Sequence, residues 1–150
     1  LLANAAMAEP DNLAIPRDLA KLLWSQGQGA QALALLESLP SEARAMPEIA
    51  PLHAHLALAE AARTAPPEDV LDTALAARSD DAALLFQRAA ARLARDDYEG
   101  AMTDLLGLAR DHRDHRHDIG RMGLLALFEL LGGNHALTQR FRRALSESLH

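Results

Sequence analysis

Two stretches decide the fold, Gly27-Gln28-Gly29-Ala30-Gln31-Ala32 and Asp96-Asp97-Tyr98-Glu99-Gly100-Ala101. They lie 69 residues apart, and a pair of leucines follows each, Leu36 and Leu39 in the first copy and Leu105 and Leu108 in the second. Glycine and aspartate favour a tight turn, and a small residue with leucines one and two turns later favours a helix that crosses a neighbour closely. The pattern predicts two helical hairpins of one design.

The offset of 69 residues is close to twice the period of about 34 residues that characterises tetratricopeptide repeats. The turn and helix signature resembles that family. We therefore predict an all-α fold, a tetratricopeptide-like right-handed α-solenoid of antiparallel helix pairs. Arrays of this kind usually hold another polypeptide on an extended surface. The sequence thus indicates a protein–protein interaction module, and we do not expect an enzyme.

Composition narrows the chemistry that the chain can perform. Apolar residues make up 49% of the sequence but aromatic residues only 3%, so the interior must consist mainly of closely packed leucine and alanine. The absence of cysteine from the sequence removes disulfides, thiol nucleophiles and cysteine-ligated metals. We expect no cofactor.

Charge and hydropathy bear on the class of partner. The net charge of −6 falls entirely in residues 1–75, which carry ten acids and four bases, whereas residues 76–150 carry eleven of each. An acidic balance disfavours nonspecific binding to nucleic acid, which depends on basic side chains. The sequence has no run of 18 apolar residues of the kind that crosses a bilayer. We therefore expect neither a nucleic-acid nor a membrane partner.

The first residues favour a helix of an incomplete repeat. Residues 1–9 are rich in alanine, and Pro10-Asp11-Asn12 follows as a stop signal. We interpret the chain as a domain cut from a longer protein, with a single tetratricopeptide-like domain over residues 1–150. Its predicted segments are a remnant second helix at 1–9, a repeat at 11–39, a degenerate repeat at 47–78, a repeat at 80–112 and a terminal repeat or cap at 117–149.

Prolines, acids and glycines mark the predicted helix ends. We expect Pro47 to open the first helix of the middle repeat, since proline is favoured at the first helical position. Asp80 is the expected cap of the helix that follows it. Gly132-Gly133 is the expected stop before the last helix.

First helices of the repeats line the inner surface of such an array, which is where partners usually bind. Trp24, the only tryptophan, either belongs to this surface or closes the core beside the Gly27 turn. Arg17 and Lys21 lie one turn apart and together could hold a carboxylate. The predicted partner-binding residues of the inner surface are Arg17, Lys21, Trp24, Phe86, Ala90 and Leu93.

Two groups of histidines invite comparison with metal sites. The stretch from Asp111 to Asp118 holds three histidines and three aspartates, but Arg113 and Arg116 are interleaved and would repel a cation. A solvated connector between two repeats is the interpretation we favour. His53 and His55 are two positions apart, so on a helix they point in different directions and cannot share one ion. We expect no metal site.

The last predicted helix carries a second candidate surface. Arg140, Arg142 and Arg143 face away from an apolar stripe that contains Phe141 and Leu145. A basic outer face on a terminal helix can guide an acidic partner, although arginine is equally ordinary on the solvated face of a capping helix.

The order of these segments resembles the C-terminal tetratricopeptide domain of the YbbN-like thioredoxin-fold co-chaperones, the co-chaperedoxins. The likeness covers nearly the whole chain. It rests on Ser79-Asp80-Asp81-Ala82-Ala83-Leu84 before the second turn signature, and on Leu130-Leu131-Gly132-Gly133-Asn134-His135-Ala136-Leu137 followed by Arg140-Phe141-Arg142-Arg143-Ala144-Leu145.

The resemblance implies a cytoplasmic holdase that binds unfolded client polypeptides and hands them to a GroEL-type chaperonin. It further implies an upstream thioredoxin-like domain in the full-length chain, whose redox residues are not in this sequence. In that family the final helix docks on the chaperonin, which would assign partner binding to Arg140, Arg142, Arg143 and Leu149.

Two other functions are compatible with the sequence. One is a scaffold domain that recognises a single defined partner, such as an acidic C-terminal tail held by Arg17 and Lys21. The other is a metal-dependent enzyme built on the Asp111–Asp118 stretch, which we consider the weakest of the three.

Overall fold

The structure is a computed structural model that describes residues 12–148, and within that range the helices are joined by turns and loops with no strand. This confirms the predicted all-α class. The predicted remnant helix at 1–9 and Leu149 lie outside the described residues. The helices are α1 (Ala14–Ser25), α2 (Gly29–Glu37), α3 (Ser41–Arg44), α4 (Ala50–Thr64), α5 (Glu68–Ala77), α6 (Ala82–Ala94), α7 (Tyr98–Asp111), α8 (Ile119–Leu131) and α9 (Ala136–Ser148).

The two signature turns have the same backbone hydrogen bonds. In the first, the Gln28 amide donates to the Leu23 carbonyl over 2.8 Å. In the second, the Asp97 amide donates to the Arg92 carbonyl over 2.9 Å. The residue before each donor is left-handed, Gly27 at φ 77° and Asp96 at φ 62°, which lets the chain reverse after the first helix of the pair.

Capping fixes where the helices begin. The Asp97 carboxylate accepts a hydrogen bond from the Gly100 amide, 3.0 Å away, and so caps α7. The cap of α6 is Asp81, whose carboxylate accepts from the Leu84 amide over 3.1 Å. The prediction that Asp80 caps this helix is wrong by one residue, because only the Asp81 side chain reaches a free amide of the first turn.

The connector before the middle repeat also differs from the prediction. Pro47 does not open a helix, since α4 begins at Ala50. The backbone turns at this point, with the Ile49 amide donating to the Met46 carbonyl over 2.9 Å and the Ile49 side chain fully buried. Burial of that isoleucine anchors the entry to α4 and delays the helix.

The chain divides into two compact units, Leu1–Glu60 and Ala61–His150. In the first unit α1 packs on α2, and the core includes Ala20, Ala32 and Leu36, all fully buried. In the second unit α7 is the central element and packs against α6, α8 and α9. Its buried side chains include Ala101, Met102, Leu105 and Leu108.

Candidate partner-binding sites

A groove in the first unit carries the aromatic residue that the sequence singles out. Trp24 is 38% exposed and lines a space of about 500 Å³ together with Lys21 and Ser25 of α1 and Leu52 of α4. Positions 21, 24 and 25 share one face of α1 because residues three and four apart are neighbours on a helix. Trp24 therefore lies at a groove, while the buried residues of α1 are Pro16 and Ala20.

The groove combines an apolar wall with one exposed cation. Lys21 forms no ion pair with any residue of the described range. Arg17, one turn earlier, donates from its Nε to the Asp18 carboxylate over 3.0 Å, so part of its charge is already neutralised. The arrangement suits a ligand that offers an apolar side chain to Trp24 and Leu52 and an oxygen acceptor to Lys21.

The three predicted inner-surface residues of the second unit are less accessible. Phe86 and Ala90 are 2% and 1% exposed, and only Leu93 is half-buried. The Phe86 ring is covered by two side chains of the α7–α8 connection. The His115 ring meets it edge-on at 6.0 Å between centroids, and the Arg116 guanidinium lies 4.6 Å from the ring centroid. In this structure Phe86 and Ala90 do not form part of an open surface.

Residues 112–118, which we call the histidine segment, cover Phe86 in a strained conformation. Three consecutive residues, Arg116, His117 and Asp118, have left-handed backbones at φ 48°, 59° and 59°. A non-glycine residue in that region costs on the order of 1–2 kcal/mol. The surrounding packing must offset this cost, and nothing in the sequence pattern predicted it.

Several polar atoms of the histidine segment are buried. The Nε2 atoms of His112 and His115 and one carboxylate oxygen of Asp118 have no hydrogen-bond partner among the residues that the structure describes. Burial lowers the pKa of His115, with smaller contributions from Arg116 and His112, and burial raises the pKa of Asp118. Within residues 12–148, no group of three or more His, Cys, Asp or Glu side chains could hold a metal ion.

The other histidine pair separates as expected from helical geometry. His53 is buried, with its Nε2 3.5 Å from a carboxylate oxygen of Glu37 on α2, whereas His55 is half-exposed. A carboxylate near one imidazole is an ordinary way to satisfy a buried histidine.

The most extensive polar cluster of the second unit was not predicted. Asp104 on α7 has a side chain only 2% exposed and accepts hydrogen bonds from Arg88 over 2.8 and 3.1 Å and from Arg92 over 3.1 Å. The hydrogen bonds to Asp104 raise the pKa of Arg88 above its ordinary value. The two arginines, one turn apart on α6, also pair with Asp72 and Glu68 of α5. This cluster, the Asp104 network, links α5, α6 and α7.

A signal for this network exists in the sequence. Asp104 occupies the apolar stripe of α7 between Ala101 and Leu108, where an acid requires partners. Arg88 and Arg92 lie four residues apart, on the helix that precedes it in the same hairpin. The network could therefore have been predicted from an acid in the apolar stripe of α7 and two arginines one turn apart on α6.

The arginines of the terminal helix differ in their surroundings. Arg140 donates to the Glu99 carboxylate over 2.6 Å and stacks on Phe141, while Arg142 lies 5.5 Å from the centroid of Phe128. Arg143 is exposed and has no ion pair within the described range. It lines a concavity of about 330 Å³ with Ala136, Gln139, Arg140, Ala144 and Glu147.

Comparison with known proteins identifies the repeat. Two family models, both described as Tetratricopeptide repeat, match the chain over residues 60–150 and residues 1–56. Searches of curated proteins and of solved structures gave no match. In the described part of the chain, none of the helices has the length and apolar character needed to cross a membrane.

Proposed function

This chain belongs to the tetratricopeptide repeat family, and we propose that it binds unfolded client polypeptides as the interaction domain of a cytoplasmic co-chaperone. Domains of this family generally mediate protein–protein interaction, so the partner class is a polypeptide. The finer proposal, a holdase that passes its clients to a GroEL-type chaperonin, extends the resemblance to the thioredoxin-fold co-chaperones. An upstream thioredoxin-like domain belongs to the same proposal.

The exposure of Trp24 supports capture of an apolar segment more than any other observation. A large aromatic side chain is costly to leave in water, and tryptophan is the residue type most enriched among binding hot spots. In the groove it lies beside Leu52, so an extended client could bury apolar side chains on both. The Lys21 and Ser25 side chains would donate hydrogen bonds to backbone carbonyls of the same client.

Replacing Trp24 by alanine is expected to weaken client capture about 30-fold, because truncating a hot-spot aromatic costs roughly 2 kcal/mol of binding free energy. The measurement is the concentration of domain that halves the aggregation of a chemically denatured client. Leu130, 58% exposed on α8, provides a matched control for loss of exposed apolar surface. Leu130→Ala should leave the half-effect concentration unchanged within twofold.

Two results would count against client capture. The intact domain could fail to slow aggregation at any concentration, or Trp24→Ala could be as active as the unaltered chain. Thermal unfolding of each variant shows whether the fold is retained.

Handover to a chaperonin is proposed to use α9. Arg140 is engaged with Glu99, so Arg142 and Arg143 are the residues with charge available to an acidic surface. Leu149 belongs to the same proposed surface but lies outside the described residues.

We expect the double variant Arg142→Gln and Arg143→Gln to reduce association with a GroEL-type chaperonin several-fold at low salt, since rim charges mainly raise the association rate. Surface plasmon resonance checks this, and unchanged association would overturn the role of α9.

A scaffold that recognises one acidic tail is the second candidate, and Lys21, which has no ion pair among residues 12–148, favours it. The affinity of such a scaffold for the tail should fall steeply as ionic strength rises, because salt screens the attraction between exposed basic side chains and the carboxylates of the tail. Apolar capture by Trp24 and Leu52 should change little over the same range. Titrating the partner at low and high salt therefore distinguishes the two proposals.

A further inference from the structure

We propose that the histidine segment, residues 112–118, is a pH-sensitive cover over Phe86 that opens in mildly acidic conditions. This goes beyond the proposed function, because it concerns a different part of the chain and needs no partner for its test. The proposal rests on the contacts of the segment with Phe86, on its backbone conformation and on the buried Nε2 atoms of His112 and His115.

Two side chains form the cover, and they contact the Phe86 ring in different ways. His115 meets Phe86 edge-on, at 6.0 Å and 64°, as a neutral aromatic group. Arg116 places its guanidinium 4.6 Å from the centroid of the same ring. With both in place, Phe86 is only 2% exposed.

Protonation of His115 is unfavourable in the closed arrangement. The Nε2 atom is buried and finds no acceptor among the described residues, so its proton would have no hydrogen-bond partner. The charged and titratable groups that act on the ring are Arg116 and His112 of the segment and Asp81 at the start of α6. The two basic neighbours oppose the imidazolium, and Asp81 favours it, but burial and the basic neighbours outweigh that acid.

The backbone of the segment is already biased toward opening. Arg116, His117 and Asp118 are all left-handed, and three consecutive non-glycine residues in this conformation need tertiary contacts to offset its cost. The closed form depends on the contacts with Phe86 to maintain it. Protonation of His115 places a second cation beside Arg116, and the repulsion between them weakens the closed arrangement.

The sign of the pH effect follows from the direction of the pKa change. Burial lowers the pKa of His115 below 6.5, so the closed form binds this proton less readily than an open segment does. The stabilisation of the closed form is complete above about pH 6.5 and is lost as pH falls toward the lowered pKa. Asp118 acts in the opposite direction at lower pH, because its raised pKa favours protonation in the closed form.

The test is hydrogen exchange of the 150-residue chain between pH 7.5 and 5.5, combined with NMR signals of the Phe86 ring and of the His115 imidazole. Amide protection in residues 112–118, corrected for intrinsic rates, should fall by up to about tenfold over this range, because only the pH unit below 6.5 protonates the open segment in preference to the closed one. The Phe86 ring signals should move with the same midpoint. His115→Phe, which keeps an aromatic edge but cannot ionise, should lose this pH dependence. His135→Gln, at an exposed histidine before α9, should retain it.

Three results would overturn the proposal. Protection of the segment could be independent of pH, His115→Phe could keep the full dependence, or His115 could titrate at 6.5 or above. If His115→Phe does not fold, the unaltered chain still decides the matter, since a His115 midpoint separate from that of Phe86 and the amides contradicts the cover.

Discussion

Asp104→Asn is expected to lower the free energy of unfolding by about 3–5 kcal/mol, the cost of removing one partner from a buried ion pair. The side chain of Asp104 is 2% exposed and neutralises Arg88 and Arg92, which are themselves mostly buried. Asparagine has the same shape but lacks the charge, so two guanidinium groups would remain in a low-dielectric site with less compensation. Urea unfolding monitored by circular dichroism measures the change.

The network supplies its own control at Asp72. This carboxylate accepts a hydrogen bond from the same Arg88 over 2.9 Å but is 49% exposed. Because solvent screens an exposed pair, Asp72→Asn should cost less than about 1 kcal/mol. Equal losses at Asp104 and Asp72, or a loss below 1 kcal/mol at Asp104, would contradict the role of burial in the Asp104 network.

Gly120→Ala is expected to destabilise the fold by about 3 kcal/mol, near the upper end for overpacking of a core. Gly120 lies in the first turn of α8 against the backbone of α7. A Cβ atom there would be 2.7 Å from the Leu105 carbonyl oxygen and closer still to the Ala109 amide nitrogen. Backbone atoms cannot rotate away as side chains do, so the two helices would have to separate.

Gly107→Ala is the matched control within α7. A Cβ atom at this position meets nothing within 4 Å, and the residue lies inside a helix. Alanine should therefore stabilise the chain by about 0.5–1 kcal/mol through its higher helix propensity. Thermal unfolding of both variants provides the comparison, and a Gly120→Ala variant as stable as Gly107→Ala would show that α7 and α8 do not approach as closely as described.

Local patterns predicted the turns of the fold well. Gly27 and Asp96 occupy equivalent positions, because in each turn a left-handed residue lets the next amide bond back to a carbonyl five residues earlier. Pro47 illustrates the limit of such rules. Proline is permitted at the start of a helix but does not require one, and the burial of Ile49 determined where α4 begins.

The candidate sites were predictable only in part. Helical spacing places Lys21 and Trp24 on one face, and the groove includes both. The same spacing assigned Phe86 to an open surface, where the histidine segment covers it. That cover includes three consecutive left-handed residues without glycine, and although aspartate and histidine tolerate this conformation singly, a run of three is not predictable from sequence propensity. The burial of Asp104 requires Arg88 and Arg92 of α6, so its role becomes evident only when the two helices are considered together.

Fluorescence of Trp24 during titration with a tryptophan-free, permanently unfolded client reports directly on capture by the groove, because Trp24 is the only tryptophan in the sequence. If the groove of Trp24, Lys21 and Leu52 grips the client, the emission should shift to the blue and saturate at the same client concentration as an independent binding signal from a labelled client. Client binding that leaves the Trp24 emission unchanged would contradict the account.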